Sequence, residues 1–177
     1  MAHAVNNQGN NTVNDETNTR WYAARVLYNR VRPIRDRLAT DRIEFFVPEI
    51  IGSLVFIKAT KEYIGTLEQD YFNRMWVYRN PLTNTPSPIP DKEMEVFIFV
   101  CTAGRRGLTF LGDDKAEYHR GDRVRVTDGP FKGAEGHIVR IKKDRRLVIT
   151  VSGVIAVATV HIDPRLLEPV AENTTAA

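Results

Sequence analysis

The most constraining feature of the chain is a strand, turn and glycine pattern near its C-terminal end. The segment from Gly121 to Gly136 reads GDRVRVTDGPFKGAEG. Its valines alternate with charged residues, which is typical of a half-buried β-strand. Asp-Gly-Pro marks a turn, and the two glycines three residues apart suit a loop with positive φ. The pattern predicts a strand, a tight loop and re-entry into a sheet.

Further short alternating runs follow this segment. They cover 137–141, 147–151, 156–162 and 166–170, and β-branched residues are dense in them. Several short strands at near-regular spacing predict a small SH3-like β-barrel of about 55 residues. We place this barrel at 119–170 and expect it to keep its β form, because β-branched residues favour strands. Residues 171–177 are predicted to be a disordered tail.

The first hundred residues have a different organisation. Residues 1–19 are rich in Asn and Thr, lack Lys and Arg, and predict a disordered tail. Residues 20–100 then read β-α-β-β-α-β-α, with helices at 31–40, at 61–70 and from Asp91 onwards. Residues 101–118 lack a clear period and are predicted to be an interdomain linker. The fold class is therefore α+β: an antiparallel sheet with flanking helices, followed by the barrel.

Composition excludes several classes of protein. Hydrophobic residues make up 42% and charged residues 27% of the 177 positions, as in soluble globular proteins. No run is long and apolar enough to span a membrane, and the N-terminus lacks the pattern of a signal peptide. The single cysteine, Cys101, excludes an internal disulfide and a cysteine-rich zinc site. We expect a cytoplasmic protein.

Catalytic signals are weak. The four histidines do not fall at metal-ligand spacing, and neither common phosphate-binding glycine loop occurs. Asp113 and Asp114 lie in the predicted linker and read as solvated charge. The sequence thus predicts no catalytic residues, no metal and no cofactor, and we expect a binding protein rather than an enzyme.

Positive charge is concentrated at the start of the ordered chain. Seven arginines face two aspartates between Arg20 and Arg42, a local excess of five positive charges. Such a stretch suits contact with phosphates, and it equally suits a solvated helix face.

Both halves of the chain resemble one family. The segment 121–136 resembles the KOW motif, and Trp21-Tyr22 opens a segment similar to the NGN domain, so that 20–170 resembles NusG-type transcription factors. Four runs are similar to the specialised UpxY-type paralogues: IIGSLVFI at 50–57, YRNP at 78–81, IPDKEM at 89–94 and GVIAVAT at 153–159.

The resemblance implies partners and contact residues. In the family, the NGN domain docks on the clamp helices of the largest RNA polymerase subunit. The positions carried over to this chain are Tyr22, Ile51, Leu54, Phe56, Trp76 and Tyr78. Neighbours on a strand face opposite sides, so Tyr22 and Trp21 cannot both be contacts, and we favour Tyr22. Phe56 and Trp76 fit the core of the domain equally well.

Two further contacts follow from the resemblance. The helix arginines Arg30, Arg32, Arg35 and Arg37 are expected near the non-template DNA strand. In the barrel, Val154 and Ile155 are expected to bind ribosomal protein S10 or Rho, although they also suit the interior of the barrel.

The leading interpretation is a monomeric elongation factor and antiterminator that holds polymerase in its elongating state. The alternative is an RNA- or ribosome-binding KOW protein that does not act on polymerase. RNA platforms of that shape carry exposed aromatics beside Lys or Arg on the sheet face, and neither candidate central strand shows that consensus.

Overall fold

The computed structural model describes residues 18–49, 51–103, 109–112, 122–141, 144–151 and 154–170. The elements, in chain order, are β1 Arg20–Val26, α1 Val31–Thr40, β2 Glu44–Phe46, β3 Leu54–Ala59, α2 Lys61–Asp70, β4 Met75–Val77, α3 Asp91–Ala103, β5 Thr109–Gly112, β6 Arg123–Val126, β7 Glu135–Ile141, β8 Asp144–Val151, β9 Ile155–His161 and β10 Leu167–Pro169. Both predicted tails lie outside the described residues, except for 18 and 19.

The N-terminal sheet is antiparallel and has the strand order β2-β3-β1-β4. The central pair β1 and β3 runs in register from Arg20 opposite Ala59 to Arg25 opposite Leu54. Helices pack on both faces of this central pair, so both strands are mostly apolar, with Arg20, Arg25 and Lys58 as the charged exceptions. The β-α-β-β-α-β-α order predicted from the sequence is confirmed.

Helices α1 and α2 cover one face of this sheet. In α2, the side chain of Thr60 accepts a hydrogen bond from the backbone N–H of Tyr63, which caps the first turn. The two helices bury Ile34, Leu38, Ile64 and Leu67 against the strands. We call this buried set the helix-covered core.

Strands β5 to β10 form a second antiparallel sheet, in the order β10-β6-β7-β8-β9-β5. Its core contains Val124, Val126, Phe131, Leu147 and Ile149. The turn predicted at Asp-Gly-Pro is present, and Gly129 and Gly133 adopt φ of 83° and 88°, where glycine carries no steric cost. The fold class is confirmed as α+β, with a small all-β unit after the helical one.

Gly136 serves a different purpose from the one that the sequence predicts. It lies on β7, and a Cβ added there would stand 2.5 Å from the backbone oxygen of Val148 on β8. The glycine is therefore needed for close strand approach rather than for a positive φ.

The predicted linker at 101–118 includes regular structure. Helix α3 continues to Ala103, and β5 pairs with β9 of the second sheet. The helix extends that far because its apolar run carries side chains into two cores: Phe97 lies in the N-terminal one, and Val100 lies in the C-terminal one. Helix α3 thus joins the two sheets.

Candidate functional site

The two aromatic residues at the start of β1 lie on opposite faces of the N-terminal sheet and in different cores. Tyr22 is 5% exposed and belongs to the helix-covered core. Burial, followed by the nearby charge of Glu62, raises the pKa of its hydroxyl. Trp21 faces the other way, and Lys58 lies over its ring at 5.8 Å. A polymerase contact through Tyr22 does not fit this placement, since the residue is enclosed by its own helices.

The face that carries Trp21 holds most of the predicted polymerase contacts. Leu54 and Phe56 of β3 lie there, buried with Met94 and Phe97 of α3. The Phe97 ring stands 5.0 Å from that of Phe56, centroid to centroid. Ile51 and Tyr78 are half-buried against the same group. Both Leu54 and Phe56 are therefore enclosed.

The barrel contributes to the same group of side chains. Val151 at the end of β8 and Val154 in the turn that follows are 0% and 3% exposed, and both belong to the group around Phe56. We call this group, which combines both halves of the chain, the shared cluster. The predicted partner contact Val154 thus meets the predicted polymerase contacts inside one molecule. Ile155 begins β9, and its side chain is outside the described set.

Trp76 lies at the edge of the sheet, on the same face as the shared cluster but outside it. It is 47% exposed and stands opposite Arg25 of β1 in the strand register. A guanidinium nitrogen of Arg25 donates to the Tyr78 hydroxyl at 3.2 Å. This edge leaves aromatic and cationic groups in contact with solvent.

The four predicted DNA-contacting arginines are not equivalent. Arg32 and Arg35 are exposed on α1, and Arg30 is half-buried just before it. Arg37 instead forms ion pairs with Asp41 at 2.5 Å and Asp70 at 3.6 Å. Its charge is therefore largely compensated, whereas Arg30, Arg32 and Arg35 form no ion pair with an acid in the described part of the chain.

The Asp41 carboxylate connects the two helices of the helix-covered core. It accepts a hydrogen bond from the Tyr63 hydroxyl at 2.7 Å as well as the one from Arg37. Both hydrogen bonds hold the pKa of Asp41 below its usual range, and the bond from Tyr63 has the larger effect. Burial and the same hydrogen bond raise the pKa of Tyr63.

Within the described ranges, no group of three or more histidine, cysteine or carboxylate side chains is placed to hold a metal ion. Burial raises the pKa of the half-buried Cys101 thiol to about 12, so that it is protonated at neutral pH and a poor nucleophile. None of the described helices is long and apolar enough to cross a membrane.

Two groups of binding candidates escaped the sequence analysis. One is Met94 and Phe97 of α3. They are three residues apart in an apolar run, and this helical spacing is the sequence feature that could have identified them. The other is Phe72 and Arg74 in the turn before β4, where no periodicity marks an exposed aromatic residue.

Comparison with known proteins gives one family match, to the KOW motif, over residues 120–163. No curated protein matches the chain. Among solved structures, the chain is similar to Thermotoga maritima NusG, described for its domain interaction: the TM-score is 0.48, identity is 14%, and the match covers 88% of this chain and 99% of that one. It is also similar to the MjSpt4:Spt5 complex in conformation B, with a TM-score of 0.32, 16% identity and coverage of 86% and 97%.

Proposed function

We propose that the chain is a NusG-type transcription elongation factor that binds RNA polymerase through the β3 and α3 side of its N-terminal sheet. The KOW match at 120–163 and the α+β order before it support this proposal. The observation that carries it is the shared cluster. There the N-terminal sheet has an apolar face, and residues about a hundred positions later in the chain help to cover it.

The apolar face of the N-terminal sheet is suited to docking once the barrel residues that cover it move away. Once Val151 and Val154 move away, the part of the shared cluster that they cover, beside α3, becomes an open apolar surface. A helical protein surface can then bury that area, at about 25 cal/mol per Å² before the costs of association. Polymerase and the barrel turn would therefore compete for the same side chains.

The finer assignments extend this proposal. The polymerase element is the clamp-helix pair of the largest subunit, and the action is antitermination of the UpxY type, by holding the clamp without changing any covalent bond. Arg30, Arg32 and Arg35 face the non-template DNA. The released barrel presents Val154 and Ile155 to ribosomal protein S10 or to Rho. The factor acts as a cytoplasmic monomer.

Capture of core RNA polymerase by the tagged full-length chain tests the docking claim. Ile51→Glu places a charge at the half-buried margin of the shared cluster, and Thr66→Glu places the same charge on the exposed face of α2, on the other side of the sheet. We expect wild type and Thr66→Glu to capture polymerase, and Ile51→Glu to lose most of the binding. Equal capture by both variants contradicts docking at the shared cluster.

The RNA- or ribosome-binding alternative has less support from the described sheet. Its central strands β1 and β3 bury Trp21 and Phe56 beneath α3, so that face carries no open stacking platform. Capture of ribosomes in place of polymerase in the same assay would establish that alternative.

A further inference from the structure

The most exposed large apolar side chain in the described part of the chain is that of Leu82. It is 93% exposed and lies between β4 and α3, in a segment that leaves the sheet after Tyr78 and returns to it at Ile89. We call residues 79–88 the projecting loop. Single exposed leucines are common on protein surfaces, so the importance of this one depends on how it is held and where it stands.

The backbone that carries Leu82 is fixed by hydrogen bonds within the loop. The Asn80 N–H donates to the Thr85 carbonyl at 2.9 Å, and the Asn84 N–H donates to the Asn80 carbonyl at 2.8 Å. The side-chain oxygen of Asn80 accepts from the Leu82 N–H at 2.8 Å, which forms a local turn. A guanidinium nitrogen of Arg79 donates to the Asn84 carbonyl at 2.9 Å. The loop therefore presents Leu82 in one defined position.

The loop carries no net charge that would attract a charged partner. Residues 80–90 contain no acidic or basic side chain, and Arg79 forms an ion pair with Glu68. Binding of nucleic acid depends on cationic side chains that contact phosphates. A lipid surface requires basic residues together with several buried apolar groups. A rigid, uncharged loop with one apolar tip instead fits a small apolar pocket on another protein.

Both ends of the projecting loop are rooted in the shared cluster. Tyr78, just before it, is half-buried against that cluster, and Ile89, just after it, is a 2% exposed member. The Ile89 N–H donates to the Trp21 carbonyl at 2.8 Å, which ties the returning chain to β1. The loop thus starts and ends at the rim of the face to which we assign polymerase docking. A protein that covers this face comes within reach of Leu82.

We propose that Leu82 is a second anchor for RNA polymerase, which inserts into an uncharged apolar pocket beside the helical surface that covers the shared cluster, and that Asn80 holds it in position. This inference rests on the proposed function and adds a contact that lies outside the shared cluster itself. Because the loop is already ordered, little conformational entropy is lost when the leucine is buried. Leu82 and the shared cluster together then fix the orientation of the partner, which a single apolar patch does not.

Titration of labelled full-length protein with core RNA polymerase tests the anchor. Leu82→Ala should weaken the affinity about tenfold or more, since a buried leucine side chain is replaced by a methyl group. Leu82→Met should retain most of the affinity, because methionine is apolar and similar in volume. Leu27→Ala is the matched control: Leu27 is also exposed, at 44%, but follows the opposite end of β1 from Ile89. We expect it to bind as wild type does.

Variants of Asn80 separate the position of the leucine from its presence. Asn80→Ala removes the side-chain acceptor and leaves Leu82 in place, so it should weaken polymerase binding severalfold because the loop must then be ordered on binding. Asn80→Asp keeps an acceptor at the same point and should restore the affinity. Amide hydrogen exchange of the free proteins should show faster exchange in the loop of Asn80→Ala than in that of Asn80→Asp.

The outcomes distinguish this proposal from the docking on which it rests. If Ile51→Glu loses polymerase and Leu82→Ala binds as tightly as wild type, the anchor is wrong and docking at the shared cluster stands. An equal loss in Leu27→Ala and Leu82→Ala, with circular dichroism showing both folded, would also overturn the anchor. Absence of polymerase binding by wild type would overturn both proposals.

Discussion

At the scale of single residues, substitution of two glycines by alanine should change stability in opposite directions. Gly136→Ala forces a Cβ to within 2.5 Å of the Val148 backbone oxygen, so β7 and β8 must separate. We expect a loss of about 1–3 kcal/mol in the free energy of unfolding of the C-terminal sheet. Gly65 lies inside α2 and has nothing within 4 Å of an added Cβ. Gly65→Ala should therefore raise the free energy of unfolding by about 0.5–1 kcal/mol. Urea unfolding of each variant measures both effects, and a neutral Gly136→Ala would contradict the strand pairing described.

A second residue-scale prediction concerns pH. The donors Tyr63 and Arg37 depress the pKa of Asp41, so the folded state holds its proton less tightly than the unfolded chain does. This contribution to stability is complete above the unfolded pKa and is lost as pH falls through the depressed folded value. Tyr63→Phe should cost about 1 kcal/mol at neutral pH, given the partial exposure of the pair. The difference from wild type should shrink below about pH 4. Denaturant unfolding across that range measures it, and a cost that does not change with pH would contradict a role for Asp41.

Individual side chains also show where the sequence was informative. Alternation correctly separated Trp21 from Tyr22, but it could not say which face of β1 is covered by α1 and α2, and the favoured residue, Tyr22, lies on that face. The pairing of Arg37 with Asp70 was equally hidden, because Asp70 lies far along the chain and meets it only through the packing of α1 on α2. The glycines of the turn, in contrast, were predictable, since local backbone geometry alone required them.

At the scale of elements, α3 matters most, because it contributes side chains to both cores. Phe97 is 0% exposed and meets Phe46 edge-on at 6.1 Å as well as Phe56. Phe97→Ala should reduce stability by about 3–5 kcal/mol. Phe99→Ala on the same helix removes a side chain that is 40% exposed and should cost far less. Thermal unfolding followed by circular dichroism compares the two, and similar costs would contradict the arrangement of α3.

The helix also explains a limit of the sequence analysis. A helix that packs on two sides has apolar residues all round and no amphipathic period. For this reason the sequence pattern did not show where α3 ends, and its last residues were assigned to the predicted linker. The strands from 123 to 169 were found because each one alternates in isolation. Element type was thus readable from local pattern, whereas the contact between the two sheets depends on residues distant in sequence.

At the scale of the whole molecule, the turn after β8 controls access to the proposed docking face. Val154→Asp introduces a charge into the shared cluster, which should favour release of the barrel. We expect affinity for polymerase to rise about tenfold, since burial of a valine is worth about 1.5 kcal/mol or more. A polymerase titration measures it, with circular dichroism to confirm that the β signal persists. Weaker binding by a folded variant would show that Val154 is not a competitor.

Site-directed photocrosslinking tests the central claim most directly. A benzophenone side chain replaces Ile51 at the margin of the shared cluster, and in a second protein it replaces Thr66 on the opposite, helix-covered side. Each protein is irradiated with core RNA polymerase. The proposed docking predicts a crosslink to a polymerase subunit from position 51 and none from position 66. No crosslink from position 51, or equal crosslinking from both positions, would contradict polymerase binding through this face.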